Sequence, residues 1–320
     1  MRVLVVKTSS MGDLVHTLPA LTDATRALGN IRFDWVCEPA FAEIPHWHPS
    51  VGDVLAIPLR RWKGKLHRLL LSNDFAAYKQ VLGAQRYDAV IDAQGLLKSA
   101  FLITRFTDGL KHGFDRRSAK ERLAASIYDV KHRVARSKHA ISRMRELFAR
   151  SLDYTLPETN PDASMNLSRP QAPTDCLVLV TQTSRQAKCW TIDGWKAVIE
   201  DALPQFSDIV LPVGGDVEFE AVSAITEGLP VRILNQASLN DVAFEISNAR
   251  AVVSVDTGLA HVADALGIPM LALYGPTKPD LVGPVSETSQ ILKSSTGQMS
   301  DLGASEVMEW VSQIDTVSAA

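Results

Sequence analysis

Lys7-Thr-Ser-Ser-Met-Gly-Asp13 sets a carboxylate beyond a short β-branched run, with five polar or flexible residues among the six between them. At such a strand end, Asp13 can accept the proton of an attacking hydroxyl. Gly12 beside it lets a ligand or another backbone come close. The same side chain would also serve as a helix cap. His16, three residues on, reads as a packing or hydrogen-bonding residue, and Pro19 predicts that the regular helix starts late or kinks.

A second apolar run, 251–255, leads directly into Asp256-Thr257-Gly258 and a helical pattern that ends at Gly267. Free N–H groups at a helix start, aided by the helix dipole, suit a diphosphate. Asp256 can cap that helix, accept from a sugar or ribose hydroxyl, or hold Thr257 and Gly258 in place. His261 falls one turn after Thr257, on the same helix face. A third loop, 181–190, brings Thr183, Ser184, Arg185 and Lys188, whose cations can neutralise charge on a leaving diphosphate. Glu218, beyond Gly214-Gly215-Asp216, stands where it can meet a ribose. Two basic runs complete the set, Arg60-Arg61-Trp62-Lys63-Gly64-Lys65 and Arg116-Arg117-Ser118-Ala119-Lys120-Glu121-Arg122. Cations around an aromatic suit an interfacial surface or a phosphorylated glycolipid.

Several chemistries lose support. There is no Gly-x-Gly-x-x-Gly after a strand, no Gly-x₄-Gly-Lys-[Ser/Thr] loop, no Gly-x-Ser-x-Gly and no Asp-x-Asp. His46-Trp-His48 would need further ligands to hold a metal, so no metal site and no cofactor are expected.

These loops need scaffolds that end strands at one edge. Apolar runs at 2–6, 32–36, 53–59 and 87–91 read as strands, and 61–82 has helical composition. The scheme repeats with strands at 176–181, 208–213, 231–234, 251–255 and 270–274, separated by helices at 194–202, 217–227, 240–248 and 259–266. Strand–helix alternation implies parallel sheets with right-handed crossovers, and ligands at the strands' carboxyl ends. Pro157, Pro161, Pro170 and Pro173 mark a boundary between two doubly wound α/β domains, with the binding cleft expected between them. The domains are expected at 1–160 and 161–302, followed by a helix in 303–320 with Val307, Trp310, Val311 and Ile314 along one side.

Charge divides the same way. Residues 1–155 carry 25 Lys and Arg against 15 Asp and Glu, the remainder 8 against 21, for −3 overall. A basic first half attracts phosphates, carboxylates or anionic lipid heads. Three cysteines without metal spacing fit a reduced compartment. No apolar run approaches the roughly 20 residues that span a bilayer, and the opening lacks a signal-peptide pattern, so a cytoplasmic location is expected.

The stretches Lys7 to Leu21, Tyr87 to Ser99 (Tyr-Asp-Ala-Val-Ile-Asp-Ala-Gln-Gly-Leu-Leu-Lys-Ser), Val255-Asp-Thr-Gly-Leu-Ala-His261 and Tyr274-Gly-Pro-Thr277 resemble the heptosyltransferases of glycosyltransferase family 9, over residues 1 to about 285. Asp-Thr-Gly-x-x-His is common to the wider family, while Ser-Ser-Met-Gly-Asp and Asp-Ala-Gln-Gly-Leu resemble its branch that adds the first heptose. The resemblance implies a GT-B fold and inverting transfer from ADP-L-glycero-β-D-manno-heptose to Kdo-lipid A without an obligatory metal. It implies Asp13 as general base and Thr183, Ser184, Lys188, Glu218, Asp256, Thr257, Gly258, Leu259 and His261 as donor-binding. Lys188 is expected to stabilise the departing phosphate as well. Ser9, Ser10, Gly12, Arg60, Arg61, Lys63 and Arg122 are implied on the acceptor side. Ser184 stands where Thr is frequent, and Cys189 where an aromatic or His is frequent. Peripheral association with the inner face of the cytoplasmic membrane follows from the acceptor, and no nucleic-acid partner is expected. Rival readings are a transferase adding the second heptose, a nucleotide-sugar epimerase or hydrolase, and a non-catalytic basic module.

Overall fold

The computed structural model describes residues 1–59, 73–167 and 174–317. It divides into two compact units, Met1–Asn166 and Leu167–Ala320. The first unit runs β1 (Arg2–Val6), α1 (Met11–Val15), α2 (Leu18–Leu28), β2 (Arg32–Cys37), α3 (Glu43–His46), β3 (Val51–Ala56), α4 (Asn73–Gly83), β4 (Arg86–Asp92), α5 (Leu97–Leu102), β5 (Asp108–Phe114), β6 (Val130–His132) and α6 (Ala140–Leu152). The second runs β7 (Cys176–Val180), α7 (Ile192–Ala202), β8 (Asp208–Pro212), α8 (Asp216–Thr226), β9 (Arg232–Leu234), α9 (Leu239–Asn248), β10 (Ala251–Val255), α10 (Gly258–Leu266), β11 (Met270–Tyr274), β12 (Ser289–Lys293) and α11 (Ala304–Val317).

Each unit holds one six-stranded sheet, ordered β3-β2-β1-β4-β5-β6 in the first and β12-β11-β10-β7-β8-β9 in the second. All ten strand pairings are parallel. Read from its own first strand, each sheet has the same order, reversing direction between its first and fourth strands. That reversal lies between β1 and β4 in one unit and between β7 and β10 in the other. There the crossovers leave in opposite directions and open a crevice at the carboxyl edge.

The central strands are apolar throughout because helices cover both faces. Val3 to Val6, Leu177 to Leu179 and Ala251 to Val253 have almost no exposed surface. In the second unit Val307, Val311 and Ile314 of α11 join the core formed by Trp195, Val198 and Ile199 of α7 with β7 and β10, and Trp310 packs at its margin. That matches the apolar side expected of the last helix.

β5, β6, β12 and α6 extend the strand–helix pattern read from the sequence, and β3 runs from Val51 to Ala56 instead of 53–59. β5 is hidden because Gly109, Lys111, His112 and Gly113 dilute its apolar content. The glycines are sterically required. A Cβ on Gly113 would stand 2.4 Å from the Tyr128 ring, and one on Gly109, at φ +142, would stand 2.6 Å from the Tyr87 carbonyl oxygen. Only α4 of the expected 61–82 helix falls on described residues, and Pro170 and Pro173 lie outside them. Arg145 of α6, ion-paired at 2.6 Å with buried Asp23 of α2, donates to the carbonyls of Pro157 and Thr159. Asn166 N–H donates to the Trp47 carbonyl. The chain after α6 is thereby held to the first unit.

Asp92, at the end of β4, is fully buried and accepts from the N–H groups of Gln94 and Gly95 and the hydroxyls of Ser99 and Thr104. Burial raises its pKa, while those donors favour the ionised form. Gly95, at φ +64, makes the turn that lets the two N–H groups converge. Removing the carboxylate strands four donors. Asp92→Ala should therefore lose about 3 kcal/mol of unfolding free energy, measured by urea titration. A loss below about 1 kcal/mol would show that water replaces the carboxylate.

Candidate active site

Asp13 sits at the third position of α1, whose N-cap is Ser10. It does not cap the helix itself. Its Oδ2 instead accepts from the Ser10 N–H at 3.2 Å, reaching back as a third-position acid does in a capping box. The helix breaks at His16 and restarts at Leu18 with Pro19 in its first turn, where a missing N–H costs nothing. Asp13 is thus carried on a five-residue helix braced by the chain on both sides.

The loop before it is held by β4. Gln94 Oε1 accepts from the N–H groups of Thr8 and Ser9 at 2.9 and 3.2 Å and from the Thr8 hydroxyl. Lys7 Nζ donates to the Ala93 carbonyl at 3.1 Å and lies 3.4 Å from Asp13 Oδ1. Lys120 Nζ stands 3.9 Å from Asp13 Oδ2, half exposed. The recess around the carboxylate is completed by His16, Phe114 and Arg143. Burial would raise the Asp13 pKa, but the charges of Lys7 and Lys120 and the Ser10 N–H outweigh it and hold the carboxyl at about 2. Burial lowers the Lys7 pKa, and Asp13 counteracts it.

Ser9, Ser10 and Gly12 share this loop, with Ser10 exposed and Gly12 buried. Arg122 opens a short 3₁₀ turn, Arg122–Ser126, two residues past Lys120, and is exposed. Arg60, Arg61 and Lys63 lie outside the described residues. Lys7, Gln94, Lys120 and Arg143 line this recess and were not assigned by the sequence reading. Gln94 stands inside a stretch already singled out, and Lys7 was visible as a charge ending an apolar strand. No local pattern marks Arg143. His46 is in α3, while buried His48 bonds Thr22 Oγ1 and Ser50, which gives it a structural role.

In the second unit, β7 and β10 are adjacent, so the loops that follow them meet. Lys188 Nζ donates to Asp256 Oδ2 at 2.6 Å, with both side chains largely buried. Thr183 Oγ1 donates to the Asp256 carbonyl oxygen at 3.3 Å. Asp256 therefore braces the 181–190 loop and does not cap α10. Thr257 is the N-cap of α10 but makes no side-chain cap bond, so its hydroxyl does not occupy the first amides of that helix. His261 is buried one turn in, and Ser184 is exposed on the loop. Glu218 belongs to the neighbouring strand end: its Oε2 accepts from Gly214 N–H at 2.7 Å in the first turn of α8. The structure thus gathers Thr183, Lys188, Asp256 and Thr257, and ties Glu218 to the glycine loop after β8. The half-exposed Cys189 thiol approaches the Arg185 carbonyl at 4.0 Å.

The arrangement offers a held carboxylate in one unit and a lysine beside an open helix start in the other. Comparison with known proteins agrees in family and fold. The model of glycosyltransferase family 9 (heptosyltransferase) matches residues 75–311. Lipopolysaccharide heptosyltransferase 1 of Escherichia coli K12 is 42% identical over 319 residues, 98% of this chain and 100% of that protein. The structure of E. coli heptosyltransferase WaaC with ADP superposes with a TM-score of 0.92 at 41% identity, covering 98% of this chain and 100% of the other. The same enzyme with ADP-2-deoxy-2-fluoro heptose gives 0.91 at 40% identity, over 98% and 99%. With two doubly wound units of the GT-B kind and a full-length match to these enzymes, the chain belongs to glycosyltransferase family 9, the heptosyltransferases.

Proposed function

We propose that the enzyme transfers L-glycero-D-manno-heptose from ADP-heptose to Kdo-lipid A, with inversion, in assembly of the lipopolysaccharide inner core. The observation that carries this reading is the identity of 42% along 98% of the chain to a lipopolysaccharide heptosyltransferase 1. Among the described residues no helix is long and apolar enough to cross a membrane. The enzyme reaches its lipid acceptor as a peripheral protein on the inner face of the cytoplasmic membrane, its basic first unit turned to anionic headgroups.

Inverting transfer is a single displacement. The acceptor oxygen bonds to the anomeric carbon as the bond to the diphosphate oxygen breaks, and ADP leaves with that electron pair. The hydroxyl proton passes to an Asp13 carboxylate oxygen. A carboxyl with a pKa of about 2 is a weak base for a free alcohol. The alcohol becomes acidic only as its new bond to carbon forms, so the proton moves late and a weak base suffices. Lys7 keeps the carboxylate ionised and aimed. Half-exposed Lys120 is free to turn to a carboxylate of the acceptor, and losing that cation raises the basicity of Asp13 on binding.

On the donor side, the amides of Gly258 and Leu259 and the Lys188 ammonium receive the diphosphate. The leaving phosphate gains charge in the transition state, so these donors act most strongly there. Asp256 keeps Lys188 in place at 2.6 Å. Glu218 and Thr183 contribute to the nucleoside and sugar contacts, with Ser184, Leu259 and His261 lining the same strand edge.

Three outcomes test the assignment. Asp13→Ala should lower kcat by about 10²-fold or more while leaving ADP affinity by calorimetry within about twofold; activity within about fivefold of wild type refutes the base. Lys188→Ala should weaken ADP binding at least about tenfold and lower kcat, and Asp256→Asn added to it should restore thermal stability but not binding. Lys120→Ala removes a charge that lowers the Asp13 pKa, so the acid limb of kcat/KM should move to higher pH by about half to one unit. An unmoved limb would mean that Asp13 does not control it.

A further inference from the structure

A second concavity in the first unit shares no lining residue with the Asp13 recess. It encloses about 480 Å³ between the turn after β5, the segment after β6, and α6. Arg117, Arg133, Arg136, Lys138 and Arg150 face it, against the single carboxylate of Glu146. Glu146 is itself committed: its two oxygens accept from Lys138 and Arg150 at 2.7 Å, and it is only 11% exposed. Among the described residues, Arg117, Arg133 and Arg136 pair with no carboxylate at ion-pair distance. Asp115 offsets part of Arg133's charge through space, while its Oδ1 accepts from the N–H groups of Arg117 and Ser118.

Crowding like charges in a hollow is unfavourable unless an anion enters it. The neighbours register the field. Burial lowers the pKa of Arg143, and Arg136 lowers it further. Burial takes His132 down to about 4, helped by His112 and Arg150. Guanidinium groups converging from two segments can each offer paired N–H donors, the geometry that phosphate oxygens accept and a single carboxylate does not fill.

We infer that this pocket binds a phosphate-class oxyanion, supplied by the phosphorylated headgroup of the glycolipid acceptor at a point remote from the reacting hydroxyl. The inference rests on the acceptor reading above. Arg143 links the two hollows: it lines the Asp13 recess while donating to the Ser118 carbonyl at the edge of the basic pocket. A phosphate held here fixes the headgroup in register and leaves the sugar hydroxyl to be presented to Asp13.

The test is cosedimentation of the full chain with phosphatidylcholine vesicles carrying Kdo-lipid A, the same lipid after phosphatase treatment, or phosphatidylglycerol at matched charge. Inorganic phosphate serves as competitor. Arg133→Ala with Arg136→Ala should weaken binding to the phosphorylated lipid about tenfold and leave the stripped lipid within about twofold, and lysine at both positions should recover part of the loss. Inorganic phosphate should compete for wild type and not for the double variant. Unchanged binding, or equal loss on the stripped lipid, overturns the site. Equal binding and equal loss on phosphatidylglycerol would make it a general bilayer contact and overturn the acceptor's phosphate as its ligand. Binding through this pocket by a wild-type chain that releases no ADP from ADP-heptose would leave the pocket standing and sink the transfer reading.

Discussion

Two parallel sheets that reverse direction between their first and fourth strands impose the layout of everything else. At that reversal the strands' carboxyl ends are adjacent but their following segments diverge, so the backbone there cannot be covered by a crossover helix. In the first unit the loops after β1 and β4 meet at Lys7, Asp13 and Gln94. In the second the loops after β7 and β10 meet at Lys188 and Asp256. One architectural rule, used twice, places both clusters.

Both halves hold a carboxylate beside a lysine, with different consequences. Lys188 and Asp256 are largely buried and form a short charge-assisted bond, which fixes the lysine's direction. Such pairs add little net stability once desolvation is counted, so their role is geometric. Asp13 is 29% exposed and shares its charge between a buried and an exposed lysine. That asymmetry keeps the carboxylate ionised and leaves part of it accessible.

The cost of putting charge at a strand end is met by a buried polar network. Asp92 orders the turn that presents Gln94, and Gln94 in turn orders the loop that leads to Asp13. Four donors converge on the Asp92 carboxylate, which is what makes a buried carboxylate tolerable and orders the turn. Positioning thus passes from β4 to β1 through hydrogen bonds and not through packing alone.

Much of this was legible in one dimension. The apolar runs at β1, β7, β10 and β11 coincide with buried strands because central parallel strands are apolar on both faces, and Gly267 marks the end of α10. Asp256 was legible as a polar residue immediately beyond such a strand, and Asp13 as a carboxylate closing the polar loop after β1. β5 and β6 were not: they carry histidine, lysine and glycine, among which Gly113 packs on Tyr128 and His112 meets His132. The partners of each site residue were equally invisible. Lys7, Gln94 and Lys120 converge on one loop from positions up to about 110 residues apart, and the arginines of the second pocket come from separate segments. Local composition sets which residues form a strand and where it ends, since those depend on near neighbours and on burial. Which carboxylate meets which cation, and at what pKa, depends on distances that only the closed sheet order brings into range.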